Sequence, residues 1–306
     1  MRLVEQLATG MGTDMAYVDK LCRMASTHYR ITTIPKKNGG RRVIWMPSPE
    51  LKAAQRFLVR RVLHGLRVHP AARAYEPGAT IRENARLHAG SKYLLRMDFR
   101  KFFESISRDD VCAFMAGVGS SIHEHWTDED TRTFADLVCW RNRLVIGAVT
   151  SPSLTNRMCF ELDVQLADAC AAARVTYSRY ADDLFFSTTS QDVLRVLEQS
   201  VTEIVRSLER PASLRLNRRK TSHSSKRRRR TVTGLVLTCE GELSIGRDKK
   251  RKVRAMIDQW DALSESDRRW LKGTLGFCRD VEPGFVDRLV LKYGADRVGA
   301  AVSARS

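Results

Sequence analysis

Apolar and polar positions along the chain follow two different periods, and each period predicts a type of element. Apolar residues recurring every three to four positions predict helices, whereas alternating, β-branched and aromatic segments predict strands. The predicted helices are one that is capped at Thr13 or Asp14 and ends near Met24, residues 49–66, 163–173 and 193–208, and a basic helical region from Ser244 onward. The predicted strands are residues 29–34 and 42–46 around an Asn-Gly-Gly turn, a short apolar run ending at Asp98, and two strands within residues 177–187. This mixture of helices and antiparallel hairpins predicts the α+β class.

Two adjacent carboxylates, Asp182 and Asp183, lie at the turn of the last predicted hairpin with little else polar nearby. Neighbouring acids in a half-buried site repel each other and are costly to bury unless a cation lies between them. A solvated turn with two surface acids is the alternative, but the apolar flanks and a third carboxylate, Asp98, argue against it. Three carboxylates can hold two divalent ions, which stabilise the attacking and leaving oxygens of a phosphoryl displacement. The pattern therefore predicts a Mg²⁺-dependent nucleotidyl transfer site.

Charge and cysteine content narrow the choice of partner and compartment. The net charge of +18 and the pI near 10.0 favour a polyanionic partner, most simply nucleic acid. The seven cysteines include no Cys-x-x-Cys pair, which favours reduced thiols in a cytoplasmic protein over a zinc or disulfide framework. His123 and His125 flank Glu124 without a third ligand, so we interpret this segment as a solvated loop. Because no secretory apolar region and no apolar run of about 18 residues is evident, we expect neither a signal peptide nor a membrane partner.

With these segments identified, the chain resembles the reverse transcriptases, whose best-known signature is the box Tyr180-Ala181-Asp182-Asp183. Residues 147–156, beginning Gly-Ala-Val-Thr-Ser-Pro, resemble the family's nucleotide-binding loop and the helix after it. Residues 216–221 resemble the motif whose lysine acts near the leaving pyrophosphate. Two further strings, Asn-Ala-x-x-His at residues 84–88 and Val-Thr-Gly at residues 232–234, resemble elements of the retron enzymes. Each string alone is a weak signal, but together with the Asp98 segment they form six matches in the family's order.

One departure from the family concerns the nucleotide-binding loop. The glutamine that usually precedes the glycine is replaced by Ile146, so its contact with the nucleotide is either lost or supplied by backbone. Phe103 lies five residues after Asp98, where the family has the aromatic steric gate that stacks below the sugar and excludes a 2′-hydroxyl. Its neighbour Phe102 is expected in the core.

The resemblance also implies the architecture of a right-hand polymerase with an antiparallel palm sheet and a helical thumb. The implied fingers are residues 1–90 and 113–150, the palm is residues 91–112 and 151–239, and the thumb is residues 240–306. We expect the thumb to contain a second small apolar core, with Trp270 and Leu291 among its members.

The candidate catalytic residues are Asp98, Asp182, Asp183 and Lys220, and the three aspartates are the candidate ligands of two Mg²⁺ ions, for which Mn²⁺ could substitute. The candidate nucleotide contacts are Lys36, Lys37, Arg41 and Arg42 at the fingers hairpin, with Arg42 the first choice, and Phe103, Gly147, Ser151 and Pro152. A hairpin tip with this many cations can reach over a triphosphate, although a merely solvated basic turn is the alternative.

Nucleic-acid contacts are expected where cations are dense. Nine of the residues from Arg215 to Arg230 are Lys or Arg and none is acidic, which favours phosphate binding over the alternative of a disordered, self-repelling loop. The candidates here are Arg218, Arg219, Lys226, Arg227, Arg228, Arg229 and Arg230, and in the thumb Lys249, Lys250, Arg251, Lys252 and Arg254.

The two retron-like strings supply further candidates. Asn84 and His88 are four residues apart and so share one helix face. A capping or core role is one interpretation, and a surface that engages structured RNA, together with Val232, Thr233 and Gly234, is the one that the resemblance implies.

A retron enzyme would use one structured non-coding RNA as both template and primer source, with deoxynucleotides as substrates. The resemblance implies priming from the 2′-hydroxyl of an internal guanosine, a branched product of RNA and complementary DNA, and a separate effector protein in anti-phage defence. A group II intron-like or diversity-generating reverse transcriptase is one rival hypothesis, which the retron-like strings disfavour. A non-catalytic RNA-binding scaffold is another, which the retention of three mutually repelling acids disfavours.

Overall fold

The structure, a computed structural model, describes residues 1–36 and 39–303. Within these residues the chain is a mixture of helices and antiparallel hairpins, which confirms the predicted α+β class. The helices are α1 (Leu3–Met11), α2 (Met15–Met24), α3 (Pro49–Leu58), α4 (Ile81–Ala89), α5 (Phe102–Ser105), α6 (Arg108–Ile122), α7 (Asp128–Val138), α8 (Thr150–Met158), α9 (Phe160–Ala172), α10 (Val193–Ser207), α11 (Arg247–Asp258), α12 (Glu265–Val281), α13 (Pro283–Tyr293) and α14 (Ala295–Ser303). None of the described helices combines the length and the apolar character needed to cross a bilayer.

The strands form three sheets. Strands β1 (Tyr29–Pro35) and β2 (Arg41–Pro47) pair antiparallel, with Tyr29 opposite Pro47 and Pro35 opposite Arg41. A four-stranded sheet has the order β4-β5-β3-β6 and consists of β3 (Tyr93–Asp98), β4 (Thr176–Tyr180), β5 (Asp183–Thr188) and β6 (Ser222–Ser225). A small antiparallel sheet consists of β7 (Arg230–Val232), β8 (Leu235–Leu237) and β9 (Leu243–Ser244).

The helix boundaries follow local capping chemistry. Helix α2 begins after Asp14, whose carboxylate accepts a hydrogen bond from the Tyr17 amide at 2.7 Å, as the sequence predicts. Helix α3 begins after Ser48 with proline at its first position, and it continues into a π-helical turn over Val59–Leu63. The separate helix α1 was not predicted, and it ends at Gly12 in the left-handed conformation.

The chain divides into two compact units. Unit 1 comprises Met1–Gly78, Leu95–Phe186 and Asp192–Ser222. Its interior includes a cluster of Trp45, Trp140, Val145 and Ala148, against which Tyr29 packs. Leu184, Phe185 and Phe186 of β5 are fully buried, so the strand after the Asp pair is anchored in the core.

Unit 2 comprises Ala79–Leu94, Ser187–Gln191 and the residues from His223 onward. Its helical part has an apolar interior that includes Val253, Ile257, Leu271, Leu275, Phe285 and Leu289. The prediction that Trp270 and Leu291 belong to this core is wrong, because they are 38% and 86% exposed. The Lys252 ammonium instead lies over the Trp270 ring, 4.0 Å from its centroid, in a cation–π contact.

Candidate active site

The turn between β4 and β5 holds the paired carboxylates. Tyr180 ends β4 and Asp183 begins β5, so the connection is the two residues Ala181 and Asp182. Ala181 has φ of 56°, a left-handed conformation that costs a non-glycine residue about 1–2 kcal/mol. The turn is therefore held by surrounding contacts, and its position confirms the predicted hairpin.

The third carboxylate lies beside this turn. Asp98 ends β3 and is only 2% exposed. The amide of the next residue, Phe99, donates to the Asp182 carbonyl at 3.0 Å, which ties the two acidic segments together. Lys220 Nζ donates to Asp98 Oδ2 at 2.7 Å, and the Asn217 amide donates to the Asp98 carbonyl at 2.7 Å. The structure thus brings all four candidate catalytic residues to one place.

Asp183 has a cationic partner that sequence reasoning missed. Arg96 Nη2 donates to both carboxylate oxygens of Asp183, at 2.8 and 3.1 Å, and its Nε donates to Oδ1 at 3.2 Å. Arg96 lies two residues before Asp98 on β3, and residues two apart on a strand point to the same face. That periodicity was the signal that could have identified it.

The charges of the three acids are compensated unequally. Burial and the nearby charges of Asp183 and Asp98 raise the pKa of Asp182 from 3.8 to about 6. Burial also raises the pKa of Asp183, but the Arg96 guanidinium opposes that shift. Among the described residues no cation lies within ion-pairing distance of Asp182, so its negative charge is the least neutralised of the three.

These acids fit a divalent cation by their chemistry. Within the described part of the chain no three acidic, histidine or cysteine side chains already converge as metal ligands, and Asp98 and Asp183 are instead paired with Lys220 and Arg96. The donor set contains only carboxylate oxygens, and Asp182 carries uncompensated charge. Hard cations such as Mg²⁺ prefer such ligands.

The candidate nucleotide-binding loop is held rigidly against β2. Gly147 has φ of +109°, and a Cβ at this position would lie 2.4 Å from the Trp45 carbonyl oxygen. The Trp45 amide donates to the Ile146 carbonyl at 2.8 Å. Ile146, the residue at the family's glutamine position, thus contributes its backbone to holding the loop.

Buried Gln55 is a second residue that sequence reasoning missed. It accepts from the Val149 amide at 2.9 Å and donates to the Tyr29 hydroxyl and the Leu137 carbonyl at 2.8 and 2.9 Å. Its spacing of four residues from Leu51 and three from Leu58 places Gln55 on the buried face of α3, and that helical period was the signal that could have identified it.

Ser151 does not fit its predicted role. Its side chain is fully buried and its hydroxyl donates to the Val145 carbonyl at 2.9 Å, so the prediction of a direct side-chain contact with nucleotide is wrong. Pro152 remains partly exposed. Phe102 is buried and stacks on Phe99 with centroids 5.5 Å apart, as expected of a core residue, whereas Phe103 is partly exposed.

The basic hairpin between β1 and β2 presents some of its cations to solvent. Lys36 and Arg42 are exposed, and the Lys36 amide closes the turn by donating to the Gly40 carbonyl at 3.0 Å. Arg41 Nε donates a hydrogen bond to the Thr33 hydroxyl at 2.6 Å. Lys37 lies outside the described residues.

Asn84 and His88 share a face of α4, as predicted, but that face is buried. Both side chains are fully buried, and His88 Nδ1 is 2.7 Å from the Ser187 hydroxyl. Burial lowers the pKa of His88 to about 4, so the ring is neutral at physiological pH. This contradicts the interpretation of these two side chains as an RNA-binding surface and favours the core alternative.

The Val-Thr-Gly string is the turn of the β7–β8 hairpin. Thr233 and Gly234 both have positive φ, 47° and 85°, which a two-residue hairpin of the type I′ class requires. The Thr233 hydroxyl donates to the Ile81 carbonyl at the start of α4, at 3.0 Å. Val232 is fully buried, so its predicted contact with nucleic acid is wrong. The two retron-like strings therefore form one packed substructure within unit 2.

The basic candidates differ in how far their side chains are exposed. The exposed ones are Arg218, Arg219, Arg227, Arg228, Arg229, Arg251, Lys252 and Arg254. Arg230 is 1% exposed and donates to the carbonyls of Ser91 and Thr238, so its predicted contact with phosphate is wrong. Lys250 is ion-paired with Glu282, which removes much of its charge from any nucleic-acid surface.

Two of the remaining cations are partly buried. Lys249 lies 4.6 Å above the Phe277 ring, and Lys226 Nζ donates to the Cys239 carbonyl at 2.8 Å. Both lysines therefore already have contacts within the protein.

The chain matches known proteins over most of its length. Residues 34–237 match the family model described as reverse transcriptase (RNA-dependent DNA polymerase). The retron Ec83 reverse transcriptase of Escherichia coli is 34% identical over 285 residues, covering 89% of each chain. The retron Ec86 reverse transcriptase of the same species is 30% identical, covering 90% of this chain and 86% of the other.

Solved structures extend the likeness to the fold. Telomerase of Candida albicans in complex with a TWJ fragment of telomeric RNA aligns with a TM-score of 0.53 and 11% identity, covering 94% of this chain and 58% of the telomerase. Identity this low indicates a shared fold alone, and the chain spans less than two thirds of that telomerase. The fold, the acidic site and the sequence relatives agree: the chain is a member of the reverse transcriptase family, a bacterial retron reverse transcriptase with RNA-directed DNA polymerase activity.

Proposed function

We propose that this enzyme copies one cognate structured RNA into branched, multicopy single-stranded DNA by adding deoxynucleotides to a primer hydroxyl. The observation that carries the proposal is Asp182. Its pKa is raised to about 6 by burial and by Asp183 and Asp98, and no described cation pairs with it. A fold that retains such a costly charge needs a cation there to perform its function.

Each acid has a distinct role in the proposed reaction. Asp98 and Asp182 would be the main ligands of the metal ions, and Asp183, held by Arg96, would complete the acidic site. Bound Mg²⁺, or Mn²⁺ in its place, would lower the pKa of the primer hydroxyl and neutralise charge on the transferred phosphate. The hydrogen bond from the Phe99 amide to the Asp182 carbonyl keeps the two ligand segments in register.

Basic and aromatic residues of unit 1 would bind the incoming nucleotide. We assign Lys36 and Arg42, both exposed on the β1–β2 hairpin, to the triphosphate, with Lys37 as a further candidate. Lys220 donates from Nζ to Asp98 and its side chain is 56% exposed, and it would protonate or electrostatically stabilise the leaving pyrophosphate. Phe103 would exclude the 2′-hydroxyl, and Gly147 would let the loop backbone approach the nucleotide.

RNA binding would use the exposed cations. Arg218 and Arg219 in unit 1, and Arg227 to Arg229 with the basic face of α11 in unit 2, supply sequence-independent phosphate contacts. A concavity of about 500 Å³ beside α11 is lined by Arg247, Arg251 and Arg254 among others, which suits a phosphate backbone. The fingers, palm and thumb boundaries given by the resemblance are part of the same proposal.

The proposal also covers how synthesis is primed and what role the enzyme has in the cell. We propose priming from the 2′-hydroxyl of an internal guanosine and a defence role that restrains a separate effector protein, as the resemblance to the retron enzymes implies. A cytoplasmic location is in keeping with the seven cysteines, all of them free thiols.

The test is to extract nucleic acid that co-purifies after co-expression with the neighbouring RNA locus. Asp182→Ala/Asp183→Ala removes the proposed ligands, and Asp168→Ala, an exposed acid on α9, is the matched control. The proposal expects an alkali-resistant DNA joined to a branched RNA nucleotide in the wild type and in the control, but not in the double variant. RNA without DNA in all three samples would overturn it and favour a non-catalytic scaffold.

A further inference from the structure

A buried ion pair lies directly behind the catalytic turn. Asp163 of α9 and Arg179 of β4 are both fully buried. Arg179 Nη2 donates to Asp163 Oδ2 at 2.6 Å and its Nε donates to Oδ1 at 2.8 Å. The Tyr177 hydroxyl donates to the same carboxylate at 2.8 Å, so the pair is fully enclosed by hydrogen bonds.

The remaining guanidinium nitrogen of Arg179 points to the turn. Nη1 donates to the Ala181 carbonyl at 3.4 Å and to Asn156 Oδ1 at 3.2 Å. Ala181 is the left-handed residue immediately before Asp182, whose own carbonyl is bound by the Phe99 amide. Both carbonyls of the two-residue turn are thus anchored, one by Arg179 and one by the β3 backbone.

The same residues anchor a second segment. The Arg179 amide donates to the Ala71 carbonyl, and its carbonyl accepts from the Arg73 amide, each at 2.7 Å. Asn156 Nδ2 donates to the Ala74 carbonyl at 2.7 Å. Arg179 therefore joins α8, α9, residues 71–74 and the catalytic turn in one network.

Stability alone does not account for this arrangement. The free energy that two charges lose on dehydration is rarely exceeded by their mutual attraction in the core. Apolar residues of similar size therefore usually stabilise a core at least as much as a buried ion pair does. What the guanidinium adds is direction, because its planar fork reaches Asp163 on one side and the Ala181 carbonyl on the other.

We propose that Arg179, oriented by Asp163, is a positioning residue that fixes the Ala181–Asp182 turn in its metal-binding geometry. This inference rests on the proposed function in one respect, that Asp182 is a metal ligand. Arg179 is fully buried, so its effect on the site would pass through the backbone of the turn.

The test compares Arg179→Gln, Arg179→Lys and Asp163→Asn with Arg108→Gln. The control breaks the Arg108–Asp136 ion pair between α6 and α7 of the same unit, away from the turn. Mn²⁺ binding is measured by electron paramagnetic resonance on the protein without nucleic acid. Melting temperature, and kcat and KM for deoxynucleotide on a primed RNA template, are measured alongside, at a temperature where all the proteins are folded.

We expect Arg179→Gln and Asp163→Asn to weaken Mn²⁺ binding about tenfold, as loss of a residue that supports a metal ligand typically does. Misplacing the ligand by a fraction of an ångström should lower kcat about 10–100-fold while leaving KM nearly unchanged. Arg179→Lys keeps the charge beside Asp163 but loses the fork, so it should regain melting temperature without regaining Mn²⁺ affinity.

If the Arg179 and Asp163 variants have the same Mn²⁺ affinity and kcat as Arg108→Gln, the inference is overturned and the ion pair has only a structural role. If Arg179→Gln does not fold, Arg179→Lys and Asp163→Asn carry the same test. Because the Mn²⁺ measurement needs no RNA and no product, it can succeed when the retron experiment fails. Conversely, branched DNA from the wild type with unchanged Mn²⁺ binding in the variants would refute the positioning role alone.

Discussion

Replacing Asp182 by asparagine should stabilise the metal-free fold while abolishing polymerisation. In the folded protein the pKa of Asp182 is raised from 3.8 to about 6 by burial, by Asp183 and by Asp98. A shift of about 2 pH units corresponds to about 3 kcal/mol of unfavourable ionisation at neutral pH, and coupling among the acids reduces this to about 1–3 kcal/mol. Asparagine keeps the shape and removes the charge, so the variant should regain that energy.

The effect has a definite pH dependence. The pKa of Asp182 is higher in the folded than in the unfolded protein. The ionised carboxylate therefore lowers the stability of the wild type by its full amount at pH 8, and this penalty diminishes as the pH falls through about 6. The variant should therefore melt about 2–5 °C above the wild type in EDTA at pH 8 and close to it near pH 4. Added Mg²⁺ should raise the melting temperature of the wild type more than that of the variant.

The assay is thermal unfolding by circular dichroism in EDTA at several pH values, beside primer extension with Mg²⁺. Asp183→Asn is the matched control, because Arg96 compensates part of the charge of Asp183 and removal of that charge should stabilise the fold less than Asp182→Asn does. A variant less stable than the wild type at pH 8, or a difference that does not narrow toward pH 4, would refute the reasoning about uncompensated charge.

Two further predictions concern the loop and the basic segment. Gly147→Ala should lower polymerase activity and melting temperature, since its Cβ would lie 2.4 Å from the Trp45 carbonyl. Gly117→Ala, with open space around it, should be neutral or stabilising. Equal activity and equal melting temperature of the two variants would contradict this prediction. Replacing Arg227, Arg228 and Arg229 by glutamine should reduce the salt slope of RNA binding by about 2, at about 0.7 per lost single-strand phosphate contact. Arg230→Gln should instead lower the melting temperature, because two partly buried carbonyls lose their donor. An unchanged slope in the triple variant would contradict the phosphate assignment.

The catalytic hairpin could be predicted because its causes are local. Two β-branched and aromatic segments flank a two-residue turn, and the alternation of side chains along each strand follows from the sequence itself. The same holds for the Asp14 cap of α2 and for the shared face of Asn84 and His88 on α4. Neighbours within one or two turns of the chain determine each of these features.

Partners distant in sequence could not be predicted in this way. Arg96 pairs with Asp183 across 87 residues and Lys220 with Asp98 across 122. The strand period places Arg96 on the same face as Asp98, but it does not identify Asp183 as the partner of Arg96. Ser151 was predicted to bind nucleotide because its loop resembles that of the family, and Arg230 to bind phosphate because it lies in a dense basic run. Packing instead buried each of them with backbone carbonyls as partners.

The sequence by itself determined the family, the α+β class and the location of the three acids, because motifs, turn chemistry and hydrophobic period are properties of short segments. Only the tertiary structure decided how much charge each acid retains, which cations are free to bind phosphate, and that a buried Arg179 supports the catalytic turn. Burial and electrostatic compensation depend on groups that meet only after folding, and no local pattern encodes them.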